Sequence, residues 1–263
     1  MGNTVVGWNN YVTSAALVAG SQAANMPPQN LQDDSGSPSI AWQTLAGVKT
    51  AAAGATLRIT PAATGQTWRA FLLARTNLTT AAVVTVALYT NPSTLVWSGT
   101  ASAIVAGYGQ SVIVAPTDKV ADYCIISIDD TTNTDNFINV PLAFAGPVWF
   151  PATGMTWQTT FGRDSLVDEV VSRGGQEYPT PRWQRRRREV AMDSLTSPEV
   201  WADAQEIDRI GRAGGNMLLL PDSTSATIGN ETLFGRYESV SDIGYVALVA
   251  GLFTWRFRIR ERI

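Results

Sequence analysis

The sequence predicts a mainly β protein of two domains. An N-terminal antiparallel β-sandwich, a jelly roll over residues 1–148, precedes a smaller β-rich α+β domain over residues 149–263 with one helix near 198–212. Three observations carry this reading. Short β-branched runs broken by turn residues fill the first half. A step in charge falls near residue 150, and a single capped helical stripe occurs after it. At 263 residues the chain also exceeds the usual size of one domain.

The sandwich is read from six runs: Thr56–Thr60, Trp68–Arg75, Ala82–Tyr89, Thr94–Ser98, Ser111–Ala115 and Tyr123–Ile128. Pro61, Gly65, Asn77, Asn91-Pro92, Gly107, Gly109, Pro116 and Asp129-Asp130 punctuate them. Such spacing points to antiparallel packing of two sheets. Asn139–Phe144 reads as one more strand, and Gly146-Pro147 to Pro151 as a rigid exit.

Charge marks the boundary. Charged residues make up only 16% of the chain, well below the roughly 25% of ordinary soluble domains. Residues 1–150 hold five Lys+Arg and seven Asp+Glu, whereas residues 151–263 hold 14 and 15. All 14 of those basic residues are arginine, the cation suited to bidentate, partly desolvated pairing with carboxylates.

In the second half, Trp157–Gly162, Leu166–Ser172 and Arg182–Val190 read as extended, Asn216–Leu220 and Thr232–Val240 as strands. Ser197-Pro198-Glu199 supplies an N-cap, a proline at the first helical position and an acid in the first turn. Val200, Ala204, Ile207 and Gly211 then recur on one face, and Gly214-Gly215 ends the helix. The last strand has the sharpest period: Phe253, Trp255, Phe257 and Ile259 alternate with Thr254, Arg256, Arg258 and Arg260.

These patterns exclude much chemistry. The chain has no histidine, which removes imidazole triads and most His-containing metal sites. Its one cysteine, Cys124, lies in an apolar run and reads as a packing residue. Asp33-Asp34 and Asp129-Asp130 are adjacent pairs in turns or pointing apart, and do not face one substrate. No nucleophile elbow or phosphate-cradling loop occurs. The reading is therefore not an enzyme, with no catalytic residues, no cofactor and no metal.

No secretory signal or myristoylation pattern opens the chain, and the apolar run Tyr245–Phe253 is too short to span a bilayer, so no membrane partner is expected. The polar opening Met1–Asn30 permits an arm. Arg185, Arg186, Arg187, Arg188, Arg256, Arg258 and Arg260 are the candidate subunit-interface residues. Their expected partners are carboxylates, within the domain or across an interface, with the acidic helix face the nearest internal choice. Solvated strand faces and nucleic acid are the alternatives. No nucleic-acid partner is expected, because 15 acids in the same half cancel a steering field, and the aromatics alternate away from the arginines.

Two resemblances extend this reading. Gln29-Asn30-Leu31-Gln32-Asp33-Asp34, then Ser37 to Trp42, and the turn Arg75-Thr76-Asn77-Leu78 resemble discoidin-like (galactose-binding-like) jelly rolls over about residues 5–145. That resemblance implies a glycan as the alternative partner, and a structural calcium on the oxygens of Asp33, Asp34 and Ser37, set against the plainer reading of an Asx-turn. Tyr108 is the ring best placed to stack on a sugar, with Trp42 and Trp68 assigned to the core. The second half is similar to a family of tailed-bacteriophage virion proteins. Its features are a Gly-Pro-x-Trp-x-Pro exit, a Phe-Gly arm, an Arg-rich strand, one helix, Leu218-Leu219-Leu220-Pro221-Asp222, Phe234-Gly235-Arg236 and a final strand with Glu261. The chain departs at Arg75-Thr76-Asn77, where a His before the Asn is the family's habit. This resemblance implies a structural tail component made in the host cytoplasm and carried in the virion. Its expected form is a homo-oligomeric ring that adapts fibres or other phage tail proteins.

Overall fold

A computed structural model describes residues 4–171, 173–247 and 251–262. Met1 to Asn3 of the polar opening, Ser172 and residues 248–250 of the last apolar run lie outside the described residues. The chain forms two compact units, and the path between them is not a single crossing. One unit comprises Val5–Phe150 with Leu220–Thr232; the other comprises Pro151–Leu219 and Leu233–Ile263, with Met1–Thr4.

The first unit is a jelly-roll-like sandwich. Short strands β1 (Val5–Gly7), β2 (Ala16–Ala19) and β3 (Trp42–Gln43) open it. They are followed by β4 (Thr56–Thr60), β5 (Gln66–Ala74), β6 (Val83–Thr90), β7 (Thr94–Thr100), β8 (Ser111–Ala121) and β9 (Tyr123–Asp129). Asn139–Phe144 is two strands, β10 (Asn139–Val140) and β11 (Leu142–Gly146), because Pro141 lacks the amide that a continuous ladder needs. A five-stranded antiparallel sheet, β2-β4-β9-β6-β7, faces a three-stranded one, β11-β5-β8. Trp42, Trp68, Phe71, Leu57 and Ile59 fill the space between them, with Cys124 also fully buried. Residues 5–30 belong to this core and are not an arm. Val5, Val6 and Val12 are fully buried, and the Asn10 side chain donates to Ala143 O and accepts from Ala145 N.

The unit also takes in a segment from late in the chain. The short helix Ile228–Glu231 lies against the loop before β8. There the buried Gln110 side-chain amide donates to Gly229 O at 2.6 Å and Thr232 O at 2.9 Å.

The second unit is one antiparallel sheet with a helix on it. Its strands are β12 (Thr160–Val171), β13 (Glu177–Thr196), β14 (Asn216–Leu220), β15 (Leu233–Ser239), β16 (Gly244–Ala247) and β17 (Leu252–Glu261). They bond in the order β14-β15-β17-β13-β12, with β16 also on β17. Trp255, Phe257 and Ile259 point to one face and are fully buried there. The helix over 197–212 covers that face through Val200, Ala204, Ile207 and Gly211, all buried. Its middle turn, Val200–Ala204, is a π-helix.

The helix begins one residue earlier than Ser197 suggests. Thr196 is the N-cap, and Glu199 closes a capping box. The Glu199 carboxylate accepts from the Thr196 amide at 2.9 Å, the Thr196 hydroxyl at 2.8 Å and the Ala152 amide at 2.7 Å. Burial pushes the carboxyl up, and these donors together outweigh it, so its pKa falls below the usual carboxylate value. A depressed carboxylate contributes stability above its unfolded pKa, and that contribution is lost as pH falls through the folded one. Glu199→Gln is therefore expected to cost about 1 kcal/mol at neutral pH and progressively less on acidification, read from urea midpoints across pH. A second variant tests the helix seat. A Cβ at Gly211 would lie 2.4 Å from Tyr237 Cγ, at the root of that ring where it cannot swing aside. Gly211→Ala is expected to destabilise the unit by about 1–3 kcal/mol in the same assay.

Candidate functional site

Two surfaces bring chemistry-bearing residues together, one in each unit. The first is the loop end of the sandwich, where residues 33–40, 75–80, 105–110 and 131–137 meet. Arg75 ends β5 in the left-handed region at φ 59°. Its amide donates to Tyr108 O at 3.0 Å, and its guanidinium donates to Gly36 O at 2.9 Å. Beside it the Thr76 amide and hydroxyl both donate to Gly109 O. Only glycine fits at 109, since a Cβ there would lie 1.9 Å from Thr76 O with φ at +53°. The Asn77 side chain donates to Asp135 Oδ2 and Phe137 O, and Asn139 reaches Pro38 O. Each loop is thus tied to a neighbour by side-chain or backbone bonds.

This end brings the Arg75 guanidinium onto the loop that follows Asp33-Asp34, and the Tyr108 carbonyl onto the Arg75 backbone. Tyr108 is half-buried, not the exposed ring expected from its two glycines. Asp34 sits in the left-handed region and caps the Pro28–Asp33 turn, and the Ser37 and Ser35 hydroxyls accept local amides. Among the described residues no group of three or more acidic or cysteine side chains is placed to hold a metal ion. Asp130, read from the sequence as turn punctuation, is the buried hub of the adjoining loop. It accepts from the Thr79 amide, the Thr79 and Thr132 hydroxyls and Asn133.

The second surface is the polar face of the β12–β13–β17–β15 sheet. Register decides who shares it. Asp164 pairs with Arg185, Arg187 with Arg260, Glu189 with Arg258, and Arg258 in turn with Glu238 across β15. Ala191 opposite Arg256 and Arg236 opposite Arg260 place those two arginines on the same face. Asp164 is the node: Arg260 lies 3.2 Å away, Arg187 3.3 Å and Arg185 3.4 Å. Arg258 bridges Glu189 at 2.8 Å and Glu238 at 3.8 Å, and Arg260 holds Glu238 at 2.6 Å. Arg256 donates to Gln158 Oε1. Six of these arginines share the face with Asp164, Glu189 and Glu238, and Asp193 joins them by accepting from the Thr254 hydroxyl at 2.6 Å.

The seven candidate arginines are not one cluster. Arg186 and Arg188 point to the opposite face, where Arg186 chelates Glu261 at 2.6 Å and Arg188 lies over the Phe161 ring. Alternation along β13 splits the run Arg185–Arg188 in two. Nor is the helix the internal partner of these arginines. It lies across the sheet from the five on the polar face, and its Glu206 and Asp208 pair with Arg209 and Arg212 of the helix itself. The carboxylates that meet the ribbon, Asp164, Glu189, Glu238 and Glu261, are on neighbouring strands. Asp164→Asn should leave three guanidinium groups without their shared anion. The expected loss is about 1–2 kcal/mol of unfolding free energy, larger at low salt than at 1 M salt by denaturant titration.

No protein-family model and no curated protein matches the chain. Among solved structures, it is similar to a chitosan-binding module of a chitosanase/glucanase from Paenibacillus sp. IK-5. That similarity is 17% identity over 53% of this chain and 99% of the module, with a TM-score of 0.40. It is also similar to a fucose-binding module from Streptococcus pneumoniae, at 10% identity over 53% of this chain and 98% of the other, TM-score 0.40. A third is a family 32 carbohydrate-binding module from C. perfringens solved with galactose, at 12% identity over 54% of this chain and 98% of the other, TM-score 0.39.

Proposed function

We propose that the chain is a non-catalytic binding protein whose sandwich recognises a glycan at its loop end. The observation that carries this is the tie of Arg75 to both Tyr108 and Gly36. It fixes a guanidinium among the loops that carry Tyr108 and Asp33-Asp34, at one end of the scaffold. Sugar hydroxyls need planar donors and acceptors, and the apolar face of a pyranose needs a ring to lie on. Bonded loops supply those groups at low entropic cost, which favours binding. The expected outcome on a glycan array with the full chain is selective retention of a small set of sugars. Tyr108→Ala, with unchanged thermal unfolding, should lower that signal at least about tenfold. An array blank at millimolar glycan, or retention indifferent to Tyr108, would end this reading.

A second reading, an assembly adaptor such as a phage tail component, is favoured by the sheet unit. Its hairpin carries exposed Trp157 (90%), Phe161 (83%), Leu166, Val167 and Tyr178. Beyond Leu166, β12 is bonded only to β13 residues 177–183, for which the described residues show no third strand. A two-stranded ribbon is marginal alone in water, and exposed aromatics on it suit a protein neighbour.

A further inference from the structure

We infer that the sheet unit holds a binding cleft of its own for a neutral sugar, with Trp201 as the ring on which the sugar lies. Every residue of this cleft belongs to the sheet unit, so it is separate from the Arg75–Tyr108 loop end of the sandwich. The cleft, about 490 Å³, opens between the helix and the connection from β15 to β16. It is lined by Trp201, Gln205, Glu206, Arg209, Asp242 and Ile243. That volume falls within the roughly 300–1,000 Å³ of small-ligand sites.

Trp201 sits in the π-helical turn Val200–Ala204, an irregularity that recurs at functional sites. Its neighbour Val200 is buried in the helix seat, whereas Trp201 is 61% exposed. The indole is supported from one side only. It stands at 83° to the Phe253 ring with centroids 6.5 Å apart, and Tyr245 packs on the same Phe253 at 4.3 Å. A supported, exposed indole is a surface that the apolar C–H face of a pyranose can cover without first ordering a side chain.

The polar groups around it are paired, and pairing aims them. The Arg209 guanidinium chelates Glu206 through two bonds of 2.6 and 2.8 Å. Arg212 donates to Asp208 and to Asp242, each at 2.7 Å, and the Tyr237 hydroxyl donates to the other Asp208 oxygen. Three carboxylates against two guanidinium groups leave a net charge of −1, so Coulomb attraction selects no polyion here. The Arg209 and Asp242 side chains are mostly exposed, which keeps guanidinium protons and carboxylate lone pairs open to solvent. Exposed Gln205 adds an amide. Planar donors and acceptors in fixed orientation match the vicinal hydroxyls of a sugar, and bonds to charged groups are the stronger kind. A protein segment is the competing occupant, but it would have to desolvate the Arg209 and Asp242 charges that a hydrated sugar leaves wet.

Retention of the full chain on columns of a β-glucan, a galactomannan and an arabinan tests this, with Tyr108→Ala as the background that silences the sandwich rim. The Tyr108→Ala protein is expected to be retained on at least one column, equally at 50 mM and 0.5 M salt, because the ligand is uncharged. Adding Trp201→Ala should lower retention at least about tenfold. Trp201→Phe, which keeps a ring, should restore most of it, with thermal unfolding unchanged in both. No retention of the Tyr108→Ala protein on any column, or retention indifferent to Trp201→Ala, overturns the inference. The sandwich reading is judged separately, by whether a protein carrying Trp201→Ala alone is still retained through Tyr108. Retention that 0.5 M salt abolishes assigns the cleft to a charged ligand. Self-association in sedimentation velocity that depends on Trp201, without retention, assigns it to protein. Either result overturns the inference as well.

Discussion

The sheet unit is organised by the alternation along β17. Four large apolar side chains and three arginines occupy successive positions of one central strand, and β-pleating sends them to opposite faces. Every other feature of the unit follows. The apolar side must be covered, and the helix with its small Ala204 and Gly211 is the cover. The charged side must be neutralised without a second layer, and only strands in register can bring carboxylates there. Shifting the pairing by one residue would bury three guanidinium groups and expose three aromatic rings, so the register tolerates no slip.

Much of this was legible because the responsible signals are local. The period of two in Phe253–Arg260, the β-branched runs of the first half and the Pro198-Glu199 helix start each express a constraint within a few residues. What was not legible depends on pairing between distant segments. Asp164 as the node for three arginines is set by the β12–β13 register, and nothing in Arg163-Asp164-Ser165 announces it. The split of Arg185–Arg188 between faces follows once that run is a strand, yet a run of four arginines invites reading it as one patch. The expected helix–ribbon pairing failed for a topological reason: the helix covers the apolar face, and so stands on the wrong side of its sheet. At the loop end, Arg75 in a left-handed conformation and the hub role of Asp130 depend on long-range bonds that composition does not encode.

The two units use opposite means to hold themselves together. The sandwich contains few charges and joins its loops with amide, hydroxyl and carbonyl bonds, leaving a guanidinium and a ring at its rim. The sheet unit is dense in charge and uses guanidinium–carboxylate contacts that weaken with salt. Solution conditions therefore act on them differently.

The excursion of Leu220–Thr232 out of the sheet unit bears on how the polypeptide comes off the ribosome. Gln110 finds its acceptors 119 and 122 residues downstream, long after its own strand has emerged. Until that segment is made, the Gln110 side-chain amide lacks these two acceptors. The first unit thus draws on residues up to Thr232, and excising Val5–Phe150 as a contiguous fragment would leave part of it behind.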